Sequence, residues 1–209
     1  MQELQDRFQM TDLGEVSHYL GMKVDNNIEK KTITLRQFTY LKKVIGRYSM
    51  KDVTPLKILM SPGVPNSLNS NPNQASKETI TWYQSAVSAL IWPAVHFRPN
   101  LAQFVTILTC FCSNLSPIHV ALIKQVFWYV ADTINKELVF RENNTPNDMK
   151  GYTDSDFTDV KASRKLTGSY IFKLASAAIS HSLKLQTIVA LFICEAEYIV
   201  ICEADKEAV

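Results

Sequence analysis

Near the start of the chain, apolar and polar residues alternate in two short runs. Residues 16–24 (Val-Ser-His-Tyr-Leu-Gly-Met-Lys-Val) and 32–36 (Thr-Ile-Thr-Leu-Arg) are rich in β-branched and aromatic side chains. Asp25-Asn26-Asn27 between them is turn chemistry, so the pattern predicts a hairpin. From Gln37 the period lengthens. Phe38, Leu41, Ile45 and Tyr48 recur at helical spacing, with Lys42, Lys43 and Arg47 on the other side. Gly46 weakens that helix without ending it. Residues 61–80 carry three prolines, four asparagines and few apolar side chains, and read as a linker. Helical segments follow at about 82–96, 100–113 and 117–132, divided by Arg98-Pro99 and Ser116-Pro117. Pro117 suits a first helical turn, whereas Pro93 is expected to kink or stop its helix. After a polar stretch at 142–149, strands are expected at 150–157, 166–174 and 178–183, then a helix from about Ile188 to the end. The fold class is α+β: a hairpin and helices, followed by an incomplete sheet domain.

Composition narrows the function classes. At 209 residues and 46% hydrophobic, the chain can bury a sizeable core and is no disordered tail. Its net charge of +2 is too small to argue for nucleic acid by itself. The distribution says more: residues 1–60 carry 10 basic and 7 acidic groups, residues 150–209 carry 7 and 8. Cys110, Cys112, Cys194 and Cys202 match no zinc-ligand spacing and read as free, buried thiols in a reducing compartment. The start, Met-Gln-Glu-Leu-Gln-Asp, has neither the basic nor the apolar region of a secretory signal. The longest apolar runs are too short to span a bilayer. No membrane partner and no secretion are expected.

Two places could carry chemistry. Asp154 and Asp156, two apart on a strand, share one face. In the last helix, Glu195 and Glu197 are about 200° apart at 3.6 residues per turn and cannot both face one site. Glu197 falls in the row Ile193, Glu197, Ile201, Ala204, while Glu203, Lys206 and Glu207 read as the solvated face. A strand aspartate plus an inward helix glutamate is half of a divalent-metal site, and hard oxygen ligands suit magnesium. Paired ions roughly 3.5–4 Å apart would activate water and stabilise a leaving oxygen in phosphodiester cleavage.

Several stretches, in order along nearly the whole chain, resemble one family. Phe8-Gln-Met-Thr-Asp-Leu-Gly-Glu-Val-Ser-His-Tyr-Leu-Gly-Met22 resembles the F-x-M-x-D-L-G-x-L-x-Y-F-L-G-I stretch of copia-type retrotransposon Pol polyproteins. Tyr83-Gln-Ser-Ala-Val-Ser-Ala-Leu resembles Y-R-S-L-V-G-S-L, and Arg98-Pro-Asn-Leu-Ala resembles R-P-D-I-A. His119 through Lys124 to Tyr129 resembles H-x-x-A-x-K-R-I-L-R-Y-L. Gly151-Tyr-Thr-Asp-Ser-Asp-Phe resembles G-Y-S-D-A-D-W, and Ile179-Ser-His-Ser-Leu-Lys-Leu-Gln resembles I-S-W-S-S-K-x-Q. Val189-Ala-Leu through Glu195-Ala-Glu-Tyr resembles V-A-L-S-S-T-E-A-E-Y.

The resemblance implies four parts. Residues 1–60 are the end of a reverse transcriptase palm and the start of its thumb, 61–80 a linker, 81–149 a helical connection, and 150–209 the opening of an RNase H-like α/β domain. Leu20, Gly21 and Met22 then sit at the hairpin that grips the primer strand, and Lys42, Lys43 and Arg47 face the nucleic-acid backbone. Asp154 and Glu197 are the first two catalytic, metal-binding carboxylates, vestigial here, with Asp156 and Glu195 as neighbours. The implied cofactor is Mg2+, held weakly if at all. The implied partner is an RNA–DNA hybrid or DNA, with no small-molecule substrate. The implied compartment is cytoplasmic, in a virus-like particle, or nuclear.

Departures from the pattern matter as well. The polymerase aspartates are expected upstream of Met1 and the later RNase H carboxylates beyond Val209. The family's glycine corresponds to Ser88, its arginines to Gln125 and Trp128, its lysine–glycine to Ala131-Asp132 and its strand tryptophan to His181. Its serine–serine–threonine corresponds to Phe192-Ile-Cys194, and the glycine near Tyr170 comes one residue early, at Gly168. Three readings stand open: a fragment inactive alone, an RNase H half completed by a partner chain, and a co-opted module with weak affinity for nucleic acid.

Overall fold

The hairpin expected near the start forms as a three-stranded meander in a computed structural model, which describes residues 7–9, 11, 14–49, 59, 75–113, 115–142, 148–156 and 166–209. β1 (His18–Tyr19), β2 (Met22–Asn27) and β3 (Thr32–Arg36) pair antiparallel. Leu20 and Gly21 join the first two at φ 48° and 77°, a two-residue turn whose twist matches that of its strands. The turn expected at residues 25–27 lies instead at 28–31. Asp25 and Asn26 stay in the ladder opposite Thr34 and Ile33. Lys23 at 2.9 Å and Arg36 at 2.8 Å neutralise Asp25 there. Asn27 closes the turn, its side-chain oxygen accepting from the Lys30 N–H at 2.8 Å.

A fourth strand, β4 (Leu138–Arg141), arrives from far along the chain and pairs with β3. It lies inside the stretch read as helical connection. Four residues are too few for a strand period to register against a helical background.

Four helices build the core: α1 (Phe38–Arg47), α2 (Lys77–His96), α3 (Pro99–Thr109) and α4 (Pro117–Asp132). Of the expected linker, residues 61–74 lie outside the described residues and 77–80 are already helix. Ser76 sets that start, its Oγ accepting from the Thr79 N–H at 3.3 Å. Pro99 and Pro117 each open a helix at the position where a missing N–H costs nothing. Leu41, Ile45, Tyr83, Leu90, Leu108, Ile123 and Phe127 join one buried cluster, each contributing roughly 1.5–3 kcal/mol of hydrophobic stabilisation. The Tyr83 hydroxyl is satisfied inside it by the Leu108 carbonyl at 2.9 Å.

Pro93 does not stop α2, which runs on to His96. A proline there removes the N–H that would bond to the Ala89 carbonyl. The Tyr40 hydroxyl, from α1, donates to that carbonyl at 3.0 Å. The defect is repaired from outside the helix.

The second sheet has the order β5-β6-β7, all antiparallel, from β5 (Lys150–Asp156), β6 (Thr167–Leu174) and β7 (Ala177–Leu185). α5 (Ile193–Ala208) packs on one face, its Val200 so near Gly168 that a Cβ there would come within 2.5 Å. The other face meets α2 and α3, where the His181 Nε2–H donates to the Ala94 carbonyl at 2.9 Å. α5 begins at Ile193, not near Ile188. Glu195, in its first turn, reaches back to accept from the Leu191 N–H at 2.8 Å, which fixes the helix start. The described residues thus form a mixed α+β fold with two antiparallel sheets and five helices. No helix among them is long and apolar enough to cross a membrane.

Candidate functional site

The cations near the start of the chain divide into two groups. Lys23 and Arg36 pair with Asp25, Arg36 also pairs with Glu137, and Lys31 pairs with Glu142. Lys42, Lys43 and Arg47 are exposed on α1, and none of the three forms an ion pair among the described residues. Leu41, Val44 and Ile45 hold the opposite side of α1 in the core, which fixes the basic side outward. Lys42 Nζ sits 5.6 Å from the centre of the Phe38 ring. That contact leaves the ammonium's donors largely open to a partner.

β2 packs against α1, so the Leu20-Gly21 turn and the basic helix belong to one end of the fold. Leu20 is 56% exposed at φ 48°, a left-handed conformation that costs a leucine roughly 1–2 kcal/mol. Met22 is half-buried as β2 begins. Tyr19, beside the turn, is also exposed. An apolar, strained tip whose strand packs on the helix of unpaired cations can contact a polyanion's sugar–base surface while the cations hold its phosphates.

The carboxylates fall differently from expectation. Cross-strand partners share a face. Asp154 pairs with Ser169, whereas Gly168, one residue earlier, faces α5. Asp154 therefore lies on the face turned from α5. It lines a cleft of about 280 Å³ with Asn100, Gln103, Ser169 and His181. Glu197 is exposed, and its expected apolar row is open except at Ala204: Ile193 is 61% and Ile201 41% exposed. The inward row is Ala196, Val200 and Ala204. Small side chains at 196 and 204 let α5 approach Gly168, so closeness of approach, not hydrophobicity, decides which row is buried. Asp154 and Glu197 are not brought together.

Lys206 and Glu207 are exposed, as expected of the solvated face, and Glu203 is half-buried. Glu207 accepts from the Ser180 hydroxyl at 2.7 Å. Burial, reinforced by Glu207, pushes the Tyr170 phenol above its usual pKa. Asp156 pairs with Thr167 through its backbone. Among the described residues no three His, Cys, Asp or Glu side chains are grouped to hold a metal ion. The thiols are free, as expected, but Cys110, Cys194 and Cys202 are exposed, not buried.

One charged residue escaped the pattern reading. Arg98 is only 2% exposed. Its Nη2 donates to Thr133 Oγ1 at 2.6 Å and its guanidinium lies 5.5 Å from the centre of the Tyr129 ring. Burial pulls its pKa below the usual arginine value. No carboxylate pairs with it among the described residues. The available signal was Asn100, which stands where the resembled R-P-D-I-A has its acid.

Over 214 aligned positions, 99% of its length, the chain is 31% identical to the retrovirus-related Pol polyprotein from transposon TNT 1-94 of Nicotiana tabacum. It is 28% identical over 211 positions, again 99% of its length, to the Pol polyprotein from transposon RE1 of Arabidopsis thaliana. It spans 16% and 14% of the lengths of those two polyproteins. A protein of Plasmopara viticola named secreted RxLR effector protein 161 is 38% identical over 127 positions, 61% of this chain and 89% of that protein. No protein-family model matches the chain. No solved structure matches it either.

Proposed function

This chain belongs to the copia-type retrotransposon Pol polyproteins, and from that premise we propose that it is a nucleic-acid-holding segment of such a polyprotein, inert in catalysis by itself. In the parent it serves RNA-templated DNA synthesis and RNA–DNA hybrid cleavage, within the cytoplasmic particle or the nucleus. Residues 1–60 act as palm end and thumb start, 81–149 as connection, and 150–209 as the opening of an RNase H-like domain. One observation carries the reading: Lys42, Lys43 and Arg47 are exposed on α1 without internal ion pairs, while Lys23, Lys31 and Arg36 have them. Free cations on one helix side position phosphates and read no sequence. The Leu20-Gly21-Met22 turn adds contact to the primer strand.

The residues present do not fit the magnesium that the family implies. Asp154 and Glu197 lie on different sides of the second sheet. Magnesium offered one exposed carboxylate keeps most of its waters.

A second reading is favoured by the start of α5 and the two residues before it, where Leu191, Phe192, Ile193 and Tyr198 are 61–81% exposed. A further protein segment or chain would cover them and complete an RNase H half. A hybrid-cleavage assay with magnesium or manganese, run on this chain alone and with the downstream RNase H segment added, separates the two. The first expects no product from this chain. Cleavage that Asp154→Asn abolishes would refute it in favour of the second.

A further inference from the structure

A cavity of about 640 Å³ opens between the C-terminal end of α1, the first turns of α2 and one side of α4. Ordinary ligand sites occupy roughly 300–1,000 Å³. Three of its walls are aromatic: Tyr48, Trp82 and Trp128. Tyr48 and Trp82 meet edge to face, ring centres 6.0 Å apart at 86°. The Tyr48 hydroxyl is within 2.7 Å of Ser85 Oγ, which fixes that ring. Lys124, one turn before Trp128 on α4, shares the lining with Thr79 and Glu78.

Indole faces take a flat ring by stacking, and a hydroxyl, a carboxylate and an ammonium at the edge take its polar groups. Glu78 and Lys124 leave the lining without net charge, so the aromatic faces and not charge select the guest. Position matters too. Tyr48 directly follows Arg47, the last of the unpaired α1 cations. Trp128 stands where the resembled pattern carries an arginine, so this wall belongs to this chain in particular.

We propose that this cavity takes an unpaired base of a single-stranded nucleic acid whose phosphates run along the Lys43 and Arg47 side of α1. The path of the backbone rests on the function proposed above; the stacking pocket does not.

Two of the three tryptophans line the cavity; Trp92 lies elsewhere, its ring tilted against His96 with centres 3.8 Å apart. Tryptophan emission of the full chain is therefore the readout. It is titrated with a single-stranded oligothymidylate, an abasic phosphodiester of equal length and thymidine monophosphate. The base-bearing strand should quench emission and bind about 10-fold more tightly than the abasic one. Trp128→Leu, with circular dichroism confirming the fold, should erase that difference and leave the salt dependence of the abasic strand unchanged. Equal binding of the two strands by the parent chain would overturn the pocket while sparing the basic-face reading. Monophosphate binding as tight as the strand's would make it a free-nucleotide site and overturn the strand assignment.

Discussion

The Tyr40 hydroxyl donates to the Ala89 carbonyl across 3.0 Å, and that carbonyl is the one which Pro93 deprives of its helical partner. A proline in mid-helix is thereby tolerated because a neighbouring helix supplies the missing donor. Tyr40→Phe should lower stability by about 1–2 kcal/mol, since it leaves a buried acceptor unpaired. In a Pro93→Ala background the helix can supply its own N–H, and the same change should cost under about half as much. Urea unfolding of the four proteins measures this. Equal costs in both backgrounds would refute the link.

Gly168 is where the second sheet and α5 come closest. A methyl group there would meet Val200 Cγ2 at 2.5 Å. Gly168→Ala should destabilise by roughly 1–3 kcal/mol through overpacking. Adding Val200→Ala should recover part of the loss, because the clash is with that side chain. Thermal melts of the pair would show it, and strict additivity of the two costs would contradict the contact.

His119 supplies a pH dependence. Its Nδ1 accepts from the Ser116 N–H at 2.9 Å at the start of α4, and the ring stacks on Phe111 at 4.0 Å. Burial holds its pKa below the usual value. The unfolded chain takes up this proton near pH 6.5, the folded chain only at lower pH. The stabilisation is therefore complete above about 6.5 and declines as pH falls below it, by at most about 1.4 kcal/mol per pH unit. His119→Leu should remove that share of the slope between pH 7 and 5. An unchanged slope would exclude His119 as its source.

Arg98 should respond to a restored acid. Asn100 Nδ2 donates to the Tyr129 hydroxyl at 2.9 Å, beside the ring on which Arg98 lies. In Asn100→Asp the hydroxyl can donate to the carboxylate instead, and a negative charge comes close to a buried positive one. Because position 100 is exposed, the gain should be about 0.5–1 kcal/mol and should shrink in high salt. Urea midpoints at two ionic strengths test it. A loss of stability would show that Arg98 needs no counter-charge.

Some of this architecture was legible in the chain and some was not. α1 was readable because Leu41 and Ile45 on one side and Lys42, Lys43 and Arg47 on the other leave a single orientation. The α2–α4 helices were legible from their period, and the start of α4 from Pro117, whereas Pro99, expected to divide two helices, opens α3. The inward side of α5 was not, because that helix is apolar almost all round. Large Ile193 and Ile201 outrank Ala196 and Ala204 in hydrophobicity, yet the small residues are the ones that let two backbones meet. That inversion also turned Glu197 outward. β4 was invisible because four residues carry no period, and its partner β3 lies about a hundred residues away. The repair of Pro93 could not be read either, since nothing in sequence links Tyr40 to Ala89.

In the function proposed above, α1 holds phosphates through three cations that have no ion pair among the described residues. Affinity for an RNA–DNA hybrid, measured by fluorescence anisotropy from 50 to 300 mM salt, tests it most directly. With three phosphates neutralised, the logarithm of the affinity should fall against the logarithm of salt with a slope of about −2 to −3, alike for unrelated sequences. Each of Lys42→Gln, Lys43→Gln and Arg47→Gln should reduce that slope by about 0.9, and the triple change should bring it near zero. A slope that the triple change leaves intact, or tight binding that survives high salt, would contradict the account.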